Sequence, residues 1–146
     1  MSTVDFLAII EAFLRTSGTP LYELIAARTF ADPTGFDFDF AGDSAVTFST
    51  LPSAGPMEPA IPVERVEIAF QCWATTPKAA MAVARALQDT ICITENETVS
   101  IDGVDYRIHY ARRDGSLQGP FPDERDTRWH FAYTTAYFQI HSEPWT

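Results

Sequence analysis

Arg65-Val66-Glu67-Ile68-Ala69-Phe70-Gln71-Cys72-Trp73-Ala74 is followed, after Thr75, by Thr76-Pro77-Lys78-Ala79-Ala80-Met81-Ala82-Val83-Ala84-Arg85-Ala86-Leu87. Two periodicities meet there. Val66, Ile68, Phe70, Cys72 and Ala74 alternate with Arg65, Glu67, Gln71 and Trp73. A period of two marks a strand with one face on a core and a more polar face opposite. Beyond Thr76-Pro77 the apolar positions become Ala80, Val83, Ala84, Leu87 and Ile91. That spacing is one stripe of a helix running to about Ile91. Threonine followed by proline is a helix start, because proline at the first turn has no N–H to leave unsatisfied. The many alanines let such a helix lie close to a sheet.

Upstream, Ser2-Thr3-Val4-Asp5 reads as a capping box opening a helix. Phe6, Ile9, Ile10, Phe13 and Leu14 give it an apolar stripe, and Ser17-Gly18 stops it. Thr19-Pro20 opens a second short helix with Leu21, Leu24, Ile25 and Phe30 on its buried side. Ala31 to Asp43 is loop-like, Ala45 to Leu51 is a strand, and Pro52 to Pro62 is too rich in proline for regular structure. Downstream, Asp102-Gly103 signals a tight hairpin with Val99, Ile101, Val104, Tyr106, Ile108 and Tyr110 on one face. Ala111 to Thr127 is a polar connection, and Trp129 to His141 is a long final strand. The expected fold is α+β over one domain, residues 1–146. It is a mainly antiparallel sheet packed on one face by helices, with an N-terminal helix pair and long inter-element loops.

Composition narrows the function. The formal net charge is −10, with Lys78 the single lysine and no basic cluster larger than Arg112-Arg113. Such a surface repels phosphate and gains little from counterion release, which argues against specific nucleic-acid binding. No apolar run approaches the ~20 residues of a membrane span, so no membrane partner is expected. Met1 to Arg15 starts acidic and has no small-residue cleavage site, so it is not read as a secretory signal. In that setting Cys72 and Cys92 are expected to be reduced, buried thiols.

No chemical signature emerges, so the expectation is no catalytic residue, no cofactor and no metal. Asp37, Asp39, Gly42 and Asp43 hint at a calcium loop. The fifth ligand position would then be Ala41, and the twelfth, which needs a bidentate glutamate, would be Phe48. His109, His130 and His141 have Asp105, Asp123, Glu124 and Asp126 within reach in sequence. They read as polar strand faces and a solvated loop rather than as convergent groups on rigid elements. Nucleophile-elbow, phosphate-loop and dinucleotide patterns are absent from the sequence.

The loops are the unusual feature. Connections in a compact domain are usually about 4–6 residues, and three stretches here are far longer. They carry Phe36, Phe38, Phe40, Met57, Ile61, Leu117 and Phe121, and Trp145 lies near the last residue. Apolar residues on extended arms are candidate contacts with neighbouring subunits or partners. The plainer reading folds these loops back over their own core.

This layout resembles the tail terminator (tail completion) proteins of long-tailed bacteriophages. The likeness rests on the helix pair from Asp5-Phe6-Leu7 to Leu21-Tyr22-Glu23-Leu24-Ile25-Ala26-Ala27-Arg28. It rests also on the strand, Thr-Pro cap and alanine-rich helix of Arg65 to Leu87, and on the closing strand Arg128 to Ile140. The Pro52–Pro62 stretch departs from the family pattern. The resemblance implies a ring homo-oligomer, hexameric in the family, at the head-proximal end of the tail tube. Its partners would be other copies of itself, the tail tube protein and the head–tail connector or stopper protein. DNA would pass through the lumen without specific binding. The virion would be its site of action, after assembly in the bacterial cytoplasm. Part of the −10 charge is then expected to face the lumen, and either the final strand or the Val99–Tyr110 hairpin to supply an edge for the next subunit. Other readings are a different neck ring adaptor, or a small α+β enzyme or ligand-binding domain, which would need a pocket with convergent polar groups.

Overall fold

The computed structural model describes residues 5–16, 18–26, 28–31, 44–51, 63–124, 128–141 and 143–145. Its elements in chain order are helices α1 (Phe6–Leu14) and α2 (Pro20–Ile25), strands β1 (Thr29–Ala31), β2 (Ser44–Thr50) and β3 (Val63–Ala74), and helix α3 (Pro77–Cys92). Strands β4 (Glu95–Ile101), β5 (Val104–Arg113), β6 (Gln118–Pro122) and β7 (His130–His141) follow. All these strands join one sheet in the order β1-β2-β3-β7-β5-β4, with β6 paired to β7 beside β5. Every pairing is antiparallel except β1 with β2. The α+β expectation holds.

The strand–helix junction forms as its sequence dictates. Val66, Ile68, Phe70, Cys72 and Ala74 are buried on one side of β3, against α3 and the matching side of β7. The Thr76 hydroxyl caps α3 by accepting from the Ala79 N–H at 3.1 Å, and Pro77 occupies the first turn. Ala80, Val83, Ala84, Leu87 and Ile91 are the buried stripe of α3. Each fully buried side chain of the size of Leu87 contributes about 1.5–3 kcal/mol. Near its end α3 is tied to its neighbours by hydroxyls. Thr90 Oγ1 donates to the Ala86 carbonyl and accepts from the Leu21 N–H at 3.0 Å, while Thr94 Oγ1 donates to the Thr90 carbonyl.

The sheet curls. Its two outermost strands, β1 and β4, are far apart in the strand order, yet α1 packs against both. Ile9, Ile10, Phe13 and Leu14 of α1 fill the space between them. The same helix seals β1: Glu11 Oε2 accepts from the Ala31 N–H at 2.8 Å, and the Arg15 guanidinium donates to the Thr29 carbonyl at 2.7 and 3.0 Å. Those two backbone groups face away from β2. The outward backbone of β4 has no such cover among the described residues. An open strand edge is a template for another strand.

Several sequence expectations change. The final strand is not an edge: β7 pairs along its whole length with β3 on one side and with β5 and β6 on the other. Its small residues Ala132, Thr134 and Ala136 lie on the core side, and its aromatic residues Phe131, Tyr133 and Tyr137 lie half-buried on the other. Two parts of the Ala111–Thr127 connection are strand, because β5 runs to Arg113 and β6 lies along β7. Gly119 permits this close approach: its φ is +111°, and a Cβ there would lie 3.0 Å from the Phe131 carbonyl oxygen. Asp102 and Gly103, with φ of 53° and 80°, make the expected hairpin turn. Val99 and Ile108 share the core side. Tyr110 does not, because a bulge between Ile108 and Tyr110 shifts the register and turns Tyr110 onto the opposite face beside Tyr137. Asp5 caps α1, its carboxylate accepting from the Ala8 N–H, so the helix starts later than the capping box implies. Leu24 is exposed rather than buried, and Phe30 belongs to β1. Cys72 is buried and free, whereas Cys92, the last residue of α3, is exposed and free. Burial pushes the Cys72 thiol far above its ordinary range.

Candidate functional site

The side of the sheet facing away from the core carries the second half of each strand's alternation. Arg65, Glu67, Gln71 and Trp73 of β3 lie there, opposite Gln139, Tyr137, Tyr133 and Phe131 of β7. The helices contribute their apolar residues to the opposite, core side. The helix-free side is built in three parts.

At one end is an open concavity of about 780 Å³ whose walls are Trp73, Phe121, Phe131 and Tyr133. Gln71, Gln118, Asp123 and Glu124 supply its polar lining. Trp73 and Phe131 pack with ring centroids 4.9 Å apart, and Phe121 covers Phe131 at 5.6 Å. The Trp73 indole N–H donates to Thr47 Oγ1 at 2.9 Å, which fixes the ring on this side. Asp123 is only 5% exposed, and its backbone N–H donates to the Trp129 carbonyl in the turn before β7.

In the middle, arginines stack on tyrosines. The Arg65 guanidinium lies 3.8 Å from the Tyr137 ring centre, Tyr137 meets Tyr110 edge-on at 6.3 Å, and Arg112 lies 4.8 Å over Tyr110. Arg65 also pairs with Glu67 at 2.9 Å. Burial raises the Glu67 carboxyl above its ordinary value, and Asp114 reinforces this against the opposing effect of Arg65.

At the far end, Trp145 folds back over β5 and β7. Its backbone N–H donates to the Asp105 carbonyl at 2.8 Å. Its indole meets His141 at 5.2 Å and His109 at 5.9 Å, and the Arg107 guanidinium sits 5.0 Å from its centre. His109 and His141 are 5.7 Å apart. Burial first, then the charges of His141 and Arg107, lower the His109 pKa below the usual 6.5.

That shift has a sign. The unfolded chain takes up a proton at His109 near its ordinary value, and the folded chain only at lower pH. The native state is therefore favoured above that value, and this contribution is lost as pH falls through it. Between about pH 7.5 and about pH 5, wild type is expected to lose more stability than His109→Gln, measured by chemical denaturation at each pH. Parallel stability–pH curves for the two proteins would refute it.

The structure separates the sequence candidates. Of the histidines, His109 and His141 come together, whereas His130 sits at the opposite end of β7. The bulge and the β5–β7 pairing create this meeting, which spacing along the chain does not reveal. Among the described residues no group of three or more His, Cys, Asp or Glu is arranged to hold a metal. Phe36, Phe38, Phe40, Met57 and Ile61, like the calcium-like acids, lie outside the described residues. Leu117 is half-buried and packs against the core. Phe121 is 43% exposed as a wall of the concavity, and Trp145 is 38% exposed in its seat. Arg65, Arg107, Arg112, Tyr110, Tyr133 and Tyr137 join the site without being candidate site residues in the sequence. The signal available for them in the sequence is aromatic and arginine residues at the polar positions of alternating strands.

No family model and no curated protein matches the chain. Solved structures do share its fold. One is a chain from the virion of a native gene transfer agent particle, with a TM-score of 0.59 and 11% identity, covering 92% of this chain and 93% of that one. Another is a protein with a TM-score of 0.52 and 16% identity, covering 95% of each chain. The fold is thus one that a virion component also uses, from end to end.

Proposed function

We propose that this chain is a structural protein of a phage-like particle and acts as a tail terminator. It forms a ring on the head-proximal end of the tail tube, ends tube polymerisation and offers a surface to the head–tail connector. The observation that carries this reading is the fold shared with a virion chain over more than nine-tenths of both proteins. The molecule's own surfaces support it. A ring needs two different surfaces on each subunit, one for each neighbour. One end of the sheet is sealed by Glu11 and Arg15, and the other, β4, has no such cover among the described residues. The helix-free side displays tyrosine, tryptophan and arginine, residue types that dominate binding energy at protein interfaces. DNA passes the ring without specific contacts, and part of the −10 charge lines the lumen.

Electron microscopy of the purified full chain, alone and mixed with tail tubes, tests this. Six-fold rings at one tube end are the expected result. Binding to the portal side instead would identify a different neck adaptor. A protein that stays monomeric at every concentration and ignores tube ends would overturn the reading, as would a lumen lined by arginines for the charge assignment.

A further inference from the structure

Three side chains gathered round the Trp145 indole each hold a buried nitrogen with no hydrogen-bond partner among the described residues: Arg107 Nε, His109 Nε2 and His141 Nδ1. A buried polar atom without a partner is costly, and native proteins rarely keep one without a use. Three in one cluster, on two paired strands, call for one explanation.

The guanidinium decides the sign of the missing partner. Arginine stays charged and can only donate, so whatever meets Arg107 Nε is an acceptor. A metal ion cannot play that part. Each imidazole can place a proton on the free nitrogen, by tautomer or by protonation, and donate as well. We propose that Arg107, His109 and His141 form a binding site for an oxyanion, a carboxylate or a phosphate, beside the Trp145 ring.

The surroundings fit. Arg107 Nη1 donates to Thr98 Oγ1 at 2.9 Å, which holds the guanidinium in place and leaves Nε free. Two acids adjoin the cluster along the chain, Asp105 and Glu143. The Asp105 carboxylate accepts from the Ser100 hydroxyl, and Glu143 is exposed. The three cationic groups oppose one another, and this adds to burial in making His109 resist protonation. A bound anion removes that opposition and favours both imidazolium forms. Charge-assisted bonds from a guanidinium and two imidazoliums are the strong kind. In a chain with twenty acidic residues and ten lysines and arginines, this is a local inversion of the overall charge.

The test uses the full chain and two probes, inorganic phosphate and acetate, titrated while imidazole resonances are followed by NMR. Phosphate is expected to shift the His109 and His141 signals saturably and raise the His109 titration midpoint. His130, remote at the other end of β7, is the internal control and stays unchanged. Arg107→Gln weakens binding about tenfold, the loss of one charge-assisted contact, and Arg107→Lys restores part of it. Saturation by acetate identifies a carboxylate site, and saturation by phosphate alone a phosphate site. Equal drift of all three histidines, or a response to zinc with none to either anion, overturns the proposal. The wild-type titration decides the matter by itself if the Arg107 variants fail to fold. A chain that never forms rings still reports phosphate binding, so this result is separable from the tail-terminator reading.

Discussion

Phe70→Ala is expected to lower the unfolding free energy by about 3–5 kcal/mol, the usual range for removing a phenylalanine ring from a packed core. Phe70 is fully buried near the middle of β3. Its ring packs on Phe48 of β2 at 5.7 Å and on Phe138 of β7 at 6.4 Å, so one ring joins three strands. The cost has two parts, the lost transfer of the ring from water and the cavity left between its neighbours. Backbone pairing of β3 on both sides limits how far the site can close over that cavity. In a chain of this length each kcal/mol moves the thermal midpoint by a few degrees, so a fall on the order of 10 °C is expected. Leu24→Ala is the comparison, since Leu24 is 46% exposed and its loss is expected to cost no more than about 0.5 kcal/mol. Denaturant titration of both variants measures the difference. A Phe70→Ala loss below about 1 kcal/mol would mean that the three-ring core does not hold the sheet together.

The core position of Phe70 is legible in the amino-acid sequence, and the reason shows where such legibility stops. Alternation over Val66 to Ala74 and the helical stripe over Ala80 to Ile91 are local patterns, and each is long enough to outweigh noise. β1 is three residues long, too short to carry a period, and it exists because Arg15 and Glu11 of α1 hold its outer edge. β6 contains Gly119, Pro120 and Pro122, the composition of a loop, and pairs only because β7 lies alongside it. Both depend on contacts between distant segments. The bulge at His109 has the same character: the Val104–Tyr110 alternation is regular in sequence, and the register with β7 breaks it. The candidate site follows from these non-local events. Polar alternation in β3 and β7 marks an outer side, but the arginine–tyrosine stacks and the His109–His141–Trp145 meeting need the sheet order, which no spacing encodes.

Proline at Glu97 and proline at Thr98 are expected to have opposite consequences, although the residues are neighbours in β4. Asp102-Gly103 is a two-residue turn with Ile101 opposite Val104. In such a hairpin the residues flanking the turn exchange both backbone hydrogen bonds, and every second residue repeats this. Counting back from Ile101, Val99 and Glu97 point their N–H groups at β5, and Ser100 and Thr98 point theirs away. Glu97→Pro removes a ladder bond and should destabilise the fold. Of the backbone groups, Thr98→Pro removes only an outward donor, the placement that edge strands tolerate; it also removes the hydroxyl that accepts from Arg107. If rings close through this edge, Thr98→Pro stays folded by circular dichroism yet weakens each subunit contact at least about tenfold, the equivalent of one lost hydrogen bond of about 1.4 kcal/mol. Because each subunit of a ring repeats that loss, rings should vanish from micrographs and from size exclusion at concentrations where wild type assembles. Thr98→Val keeps the N–H, loses the hydroxyl that binds Arg107, and should still form rings. Wild-type ring formation by Thr98→Pro would exclude β4 as the closing edge. Among the described residues the arginine–tyrosine side of the sheet would then be the next candidate, since α1 already covers the edge at β1.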